Sequence, residues 1–488
     1  MKKVLFSLAA IASISITSCR KIEMDGEPII VNVPGTGGGI TGKTVTLSGH
    51  VTKDTTLLAI DNNFLSGLVY VDAGVTLTVE AGATVKGAYS GTNTAALIVK
   101  RGAKLMAIGT SEKPIIFTSA SPTPTSGDWG GIELLGKASI NSANGGAPGL
   151  YIPEGGFNTA AGDGLAGSGD ALVPTPVNDD NSGTLQYVRI EYAGYAFLPN
   201  QQINALTMAC VGSGTTIDHI QVSYAKDDAF EWFGGTVNCK YLIAYKTQDD
   251  DFDTDNGFNG SVQFGLIVRD SSIADVSKSE AFESDNDGSG STLTPQTKAV
   301  FSNVTAFGPL STPDNIGNSN YLGAAVQIRR NSSLSIFNSA FVGWKTGILI
   351  DAGLGRPTDL NIADGSLQLS GVLLISCKNQ VGYTASTTAA TGATQASMES
   401  WFTSNTKNKI ITANAVQNTY TRPFDYILPD FAPFGNSAVV IPSATNTYFD
   451  DPIITARPFI KKVDFIGAIA PSGEDANWFK GWTKLGNK

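Results

Sequence analysis

Short apolar runs, each closed by a glycine corner, repeat along most of the chain. Val75-Thr76-Leu77-Thr78-Val79-Glu80 alternates apolar and polar residues and then turns at Gly82. Ala96-Leu97-Ile98-Val99 follows, turning at Gly102, and Leu105 precedes another turn at Gly109. Pro114-Ile115-Ile116-Phe117-Thr118 leads into Gly127-Asp128-Trp129-Gly130-Gly131 and the run Ile132 to Leu135. These runs recur too quickly for helices, and no Asn-Gly hairpin signal joins them. They predict single short strands separated by corners.

The centre of the chain can be aligned with itself. His219-Ile220-Gln221-Val222-Ser223-Tyr224 is followed 22 residues later by Tyr241-Leu242-Ile243-Ala244-Tyr245-Lys246, and Gly265 to Asp270 comes about 24 residues after that. Related runs begin at Asn303, Asn338 and Gly371. One coil of a parallel β-helix needs about this many residues, and a single coil buries its apolar side only by stacking on neighbours. The predicted fold is all-β, a right-handed parallel β-helix spanning 43–488. A β-sandwich or propeller is the competing all-β reading, and single strands without hairpins argue against it. Residues 141–183, rich in Gly, Ala, Asn and Pro, read as a long loop insertion. A second insertion is expected near 384–408, with one short helix around Met398-Glu399-Ser400-Trp401-Phe402 that would be a surface insertion or a cap on an open coil. Near 420–488 a C-terminal segment ending in Trp478-Phe479-Lys480-Gly481-Trp482 is expected to cap the last coils.

Composition narrows the function classes. Charged residues are only 16% and Gly is 54 of 488, which favours strands and tight turns. The net charge of −10 gives no electrostatic case for nucleic acid. The only two histidines, His50 and His219, leave little basis for histidine-zinc or triad chemistry. Cys210, Cys239 and Cys377 each lie in or beside an apolar run and are expected as buried thiols, one disulfide being the alternative.

The N-terminus reads as a targeting segment. Lys2 and Lys3 precede the apolar stretch Val4 to Ile16, and Ile16-Thr17-Ser18-Cys19 fits the pattern cleaved before a cysteine that becomes lipidated. Residues 1–18 are expected as a lipoprotein signal peptide. Lipidated Cys19 would anchor the chain in a membrane, with 19–42 as a flexible tether. The expected location is the cell envelope, on the outer membrane.

The strongest chemical signal lies between Asp227 and Asp287. This window of 61 residues holds 14 acidic and four basic residues, a net −10 that equals the charge of the whole chain. Asp228-Ala229-Phe230-Glu231 aligns with Asp250-Asp251-Phe252-Asp253 and with Glu280-Ala281-Phe282-Glu283. On successive coils the phenylalanines would stack inside. Glu231, Asp253 and Glu283 would form one column of carboxylates, Asp228, Asp250 and Glu280 a second, with Asp255 and Asp285 extending the set. Stacked strands sit roughly 4.8 Å apart. Two ionised carboxylates at that spacing repel by roughly 3 kcal/mol at an effective dielectric of 20. Protons, water or a cation must relieve this, and calcium, which takes six to eight oxygens in irregular geometry, suits it best. The candidate metal ligands are therefore Asp228, Glu231, Asp250, Asp251, Asp253, Asp255, Glu280, Glu283 and Asp285. The alternative is an ordinary acidic corner splayed into water.

Trp232 and Phe233 follow the first acidic corner. Aromatic faces beside carboxylates can stack on sugars, which makes both candidate ligand contacts; covering the core is the other reading. Arg329 and Arg330 are the remaining candidate ligand contacts. Paired carboxylates such as Asp250 and Asp253 could also serve a glycosidase, and calcium with an arginine base could serve a lyase. No set of catalytic residues is assigned, and no P-loop, GxSxG, CxxC or HExxH pattern occurs.

Several segments carry a resemblance. Gly109-Thr110-Ser111-Glu112-Lys113-Pro114-Ile115-Ile116-Phe117-Thr118-Ser119, Gly127 to Ile132, Tyr187-Val188-Arg189-Ile190-Glu191-Tyr192, the Asp249–Gly257 run and the ending from Gly467 to Trp482 resemble a family of uncharacterised parallel β-helix surface lipoproteins of Gram-negative bacteria. That resemblance implies a fold and an envelope location and carries over no catalytic residue. The expected function is a non-catalytic binding or adhesion lipoprotein that is calcium-stabilised and contacts a polysaccharide or a surface protein. The alternatives are a calcium-dependent polysaccharide lyase or glycoside hydrolase, and a purely structural envelope component.

Overall fold

The computed structural model describes residues 42–486 except 156, 158–161, 199–200, 309–322, 413–414, 426 and 444–445. The expected signal peptide, Cys19 and nearly all of the tether lie outside the described residues. Among the described residues no helix is long and apolar enough to cross a membrane.

The chain coils into a parallel β-helix with three strand columns. Within Asn238–Tyr245, Asn238 to Lys240 pair with Thr216 to Asp218 of the previous coil, and Leu242 to Tyr245 pair with Ile220 to Ser223. Tyr241 between them takes a φ of 58° and bends the strand from the first sheet into the second. Tyr187, His219, Phe264, Asn303 and Asn338 make the same bend on other coils, with φ between 48° and 64°. A left-handed backbone is costly for a bulky residue. Stacking compensates here: Tyr187–His219 and His219–Tyr241 ring centroids are 4.3 Å apart and Tyr241–Phe264 4.9 Å.

The third sheet carries the acidic segments. Its strands include Ile132–Leu135, Leu206–Ala209, Phe230–Phe233, Phe252–Asp255, Phe282–Ser284, Ala324–Ile328, Thr346–Asp351 and Asn379–Thr384, each parallel to the last. Phe230, Phe252 and Phe282 point inward as a ladder, with centroids 5.6 and 5.3 Å apart. One expected alignment slips by a residue: Gly265 pairs with Leu242, not Tyr241. Gly265 is an inward position without a side chain, where a Cβ would come within 2.8 Å of the Phe252 ring. The apolar pattern is therefore silent at that point.

Of the two readings of the 384–408 helix, insertion or cap, the structure shows the cap, and the C-terminal segment lies elsewhere than over the last coil. The helix Gln395–Ser404 buries Met398 and Phe402 in the same core cluster as Leu374 and Val381, so it closes the last coil. The segment from 420 onward instead runs back along the outer faces of the first and second sheets. Trp478 and Trp482 cover the Tyr187–His219–Tyr241 stack, and Ile466, Phe431 and Phe479 pack in the cluster holding Ile243, Leu266 and Phe307. This strap explains why both faces of the second sheet are apolar.

Gln263 donates to the carbonyl of Lys461 at 2.7 Å and accepts from its N–H at 2.8 Å; Gln221 holds Lys484 likewise, at 2.8 and 2.9 Å. Gln263→Ala is expected to lower stability by about 2 kcal/mol through the loss of both part-buried bonds to Lys461 and of the buried one to Asn303 Oδ1 at 3.1 Å. Chemical denaturation measures this; an unchanged midpoint would show that the strap does not depend on this clamp.

The expected insertion at 141–183 forms small hairpins, Ala143–Asn144 with Ala147–Pro148 and Leu150–Tyr151 with Ala166–Gly167. It packs Phe157 and Ala166, together with Ile140 just before it, against Ile98, Leu135 and Ala209, outward residues of the early third sheet. The middle of that sheet is left open to form a cleft. Cys210, Cys239 and Cys377 are buried free thiols.

Candidate functional site: an acidic cleft on the third sheet

Alternation along each strand decides which side chains reach the cleft. In Phe230–Phe233, Phe230 and Trp232 point inward, so Glu231 and Phe233 point outward. Parallel pairing then stacks the outward residues of successive coils in the order Glu133, Thr207, Glu231, Asp253, Glu283, Gln327, Leu349 and Gly382. Glu231, Asp253 and Glu283 are thus direct neighbours on adjoining strands.

The second column lies in the corner before these strands and is tied by side chains. Asn204 Oδ1 accepts from the Asp228 N–H at 3.2 Å, Asp228 Oδ1 from the Asp250 N–H at 2.9 Å, and Asp250 Oδ1 from the Glu280 N–H. Each carboxylate oxygen spent this way fixes the next coil. Asn204 also donates to Glu231.

Asn204, Asp228, Glu231, Asp250, Asp253 and Glu283 are among the residues lining a cleft of about 340 Å³ that has ten carboxylates and three cations, Lys278, Arg329 and Arg330. In each of three groups, Asp227/Asp228/Asp249, Asp228/Glu231/Asp253 and Asp250/Glu280/Glu283, one oxygen per residue lies within 4.8 Å of the others. Among the described residues Asp253 Oδ1 and Glu280 Oε2 are buried with no hydrogen-bond partner, and Glu280 is only 1% exposed. Burial, and after it neighbouring carboxylates, hold Asp228, Glu231, Asp250 and Asp253 well above the usual carboxylate range. Burial and Asp249 push Asp227 up to about 8. Burial raises Glu283 to about 7 although Arg329 opposes it. Without a counter-ion the cleft therefore retains protons near neutrality. A hard divalent cation is the other way to balance it, and oxygen donors at these spacings fit one.

Several expected site residues stand elsewhere. Asp251 lies in the corner before its strand, where alternation does not hold. It is fully buried beside Arg269, Nη1 to Oδ2 3.2 Å, and is not a candidate ligand. Trp232 is likewise fully buried, stacked on Phe258 at 5.4 Å, so it belongs to the core and not to a ligand surface; its neighbour Glu231 points out, which forces it in. Phe233 lines the cleft against Tyr151, 4.9 Å away. Arg329 and Arg330 do line the cleft, but as internal counter-ions. Arg329 holds Asp285 at 2.9 Å and contacts Glu283, and Arg330 holds Asp285 at 2.7 Å. Asp285 is engaged by both arginines, which leaves it the least available of the acidic set. Asp255 lines the cleft beside Asp253.

Sequence reasoning left Asp227, Asn204, Tyr151, Glu154 and Glu133 out of the site. Asp227 and Asp249 each precede a residue of the second column, a signal the alignment contained. Tyr151 and Glu154 arrive on the insertion, whose path no pattern reveals. Glu133 continues the outward column two strands before Glu231; it is 1% exposed, and among the described residues both of its carboxylate oxygens lack a hydrogen-bond partner.

No curated protein and no solved structure gives a match. One family model does, that of a pectate-lyase-like β-helix domain, over residues 49–419. This span covers the coils, the acidic cleft and the closing helix, and stops before the strap. With three parallel strand columns and a match over most of its length, the chain belongs to the pectate-lyase-like β-helix domain family.

Proposed function

We propose that this protein is a non-catalytic binding module of the bacterial cell envelope, lipid-anchored through Cys19, whose acidic cleft holds calcium and through it contacts a glycan. The observation that carries this reading is the pair of buried oxygens, Asp253 Oδ1 and Glu280 Oε2, that have no partner among the described residues and lie inside groups of carboxylates close enough to share one ion. Such oxygens are costly to leave unsatisfied, and a shared cation satisfies several at once. The open middle of the third sheet, bordered by Phe233 and Tyr151, supplies the surface for the glycan.

The test is thermal unfolding of the full chain at pH 8 in EDTA and in calcium. An ion that binds only the folded state contributes about 2.7 kcal/mol at a hundredfold excess over its dissociation constant. Calcium is therefore expected to raise the melting temperature by several degrees. The triple variant Glu231→Gln, Asp253→Asn, Glu283→Gln is expected to lose that rise and to melt higher than the native chain in EDTA, because the repulsion is gone. Equal melting of the native chain with and without calcium would overturn the cation half of the proposal. Release of unsaturated or reducing-end products from a polysaccharide, lost in the same variant, would replace binding by lyase or hydrolase activity.

A further inference from the structure

A second cavity, of about 540 Å³, adjoins the acidic cleft on the same sheet face. Lys278 lines both, and Gln327 in the second cavity is the direct strand neighbour of Glu283 in the first. Past Glu283 the outward column changes from carboxylates to Gln327, Leu349 and Gly382. The floor becomes apolar, with Leu349 and Tyr383 half-buried and no side chain at Gly382. Two lysines, Lys278 and Lys345, and two glutamates, Glu280 and Glu399, line it, and Glu280 also belongs to the carboxylate group of the adjoining cleft.

Its three glutamines share one feature. Gln327, Gln380 and Gln395 each donate their amide nitrogen to the protein, to Asp351 at 3.4 Å, Cys377 O at 3.2 Å and Val381 O at 2.6 Å. Among the described residues none of their amide oxygens accepts a hydrogen bond. These oxygens are left as acceptors around an apolar floor. A ligand rich in hydroxyl donors with apolar faces complements that arrangement, whereas a carboxylate would meet acceptor oxygens.

We infer that this groove binds uncharged, hydroxyl-rich sugar units, so that the glycan of the acidic cleft extends into it as a neutral segment and is not a uniformly anionic polymer. This rests on the glycan reading above and adds the chemical class of the units.

Immobilised full chain in millimolar calcium is probed with linear xylan, mannan and β-glucan oligosaccharides and with oligogalacturonate. At least one neutral oligosaccharide is expected to bind. The double variant Asn379→Ala, Gln380→Ala, at half-exposed or exposed positions on the groove, is expected to weaken that binding about tenfold, as two lost hydrogen bonds would, while keeping the calcium-dependent melting rise. Binding of oligogalacturonate alone, no binding of any neutral probe, or wild-type affinity in the double variant would each overturn the inference. Neutral binding that weakens in the double variant but ignores EDTA would leave the groove assignment standing and remove the cation from the cleft.

Discussion

In metal-free buffer the protein is expected to lose stability steadily as pH rises from about 5 to 8. The sign follows from where protons bind more tightly. Asp227 and Glu283 titrate at about 8 and about 7 in the folded chain, and Asp228, Glu231, Asp250 and Asp253 are also raised, in each case by burial first. Unfolded, the same groups titrate near 4. Between those values the folded chain holds more protons than the unfolded one, so each step up in pH favours unfolding. The stabilisation is fully present below pH 4 and is lost as pH passes through the folded values. Glu283, whose side chain is 14% exposed, moves from 4.5 to about 7 and by itself accounts for roughly 3 kcal/mol. Several such groups sum to an effect of the same order as a domain's whole stability. Calcium should flatten the profile, raising the melting temperature strongly at pH 8 and weakly at pH 5, where protons compete for the same oxygens. Melting curves across pH in EDTA check this, and a metal-free profile flat from pH 5 to 8 would refute the buried, mutually repelling cleft.

Arg269→Leu is expected to destabilise the chain by about 3–5 kcal/mol. Arg269 and Asp251 are both 0% exposed; the guanidinium lies 3.2 Å from the carboxylate and donates to the Asp249 carbonyl at 2.6 Å. Removing the cation alone leaves Asp251 buried beside the acidic cleft without its counter-charge. Even with Arg269 present, burial raises Asp251 to about 7. The double variant Arg269→Leu, Asp251→Leu is expected to recover most of the loss, because two apolar side chains replace two desolvated charges. Denaturant midpoints of the native chain, both single variants and the double measure the coupling. Additive losses would show that the pair does not act as a unit.

These two predictions differ in how far the sequence could lead to them. The cleft's main column was legible, because three segments of the form acid-Ala-Phe-Glu or acid-Asp-Phe-Asp repeat near one coil length. Period-two alternation then sends Phe230, Phe252 and Phe282 one way and Glu231, Asp253 and Glu283 the other. The same alternation applied one residue further places Trp232 inside. The pairing of Asp251 with Arg269 was not legible, since 18 residues separate them and the contact forms only when one coil turns over the next.

The sequence by itself determined the stacking. Short apolar strands, corners at coil intervals and acids in register are local properties, and parallel pairing converts them directly into columns. Only the tertiary structure decided which part of the columns stays open. The strap from 420 onward covers the second sheet, the insertion at 141–183 covers the start of the third, and the helix Gln395–Ser404 closes the core's end. Each does so by long-range burial of its own apolar side chains, such as Trp482, Phe157 and Phe402. Such docking depends on surface shape many coils away, which no local pattern records, and it leaves the carboxylate column between the covers as a cleft.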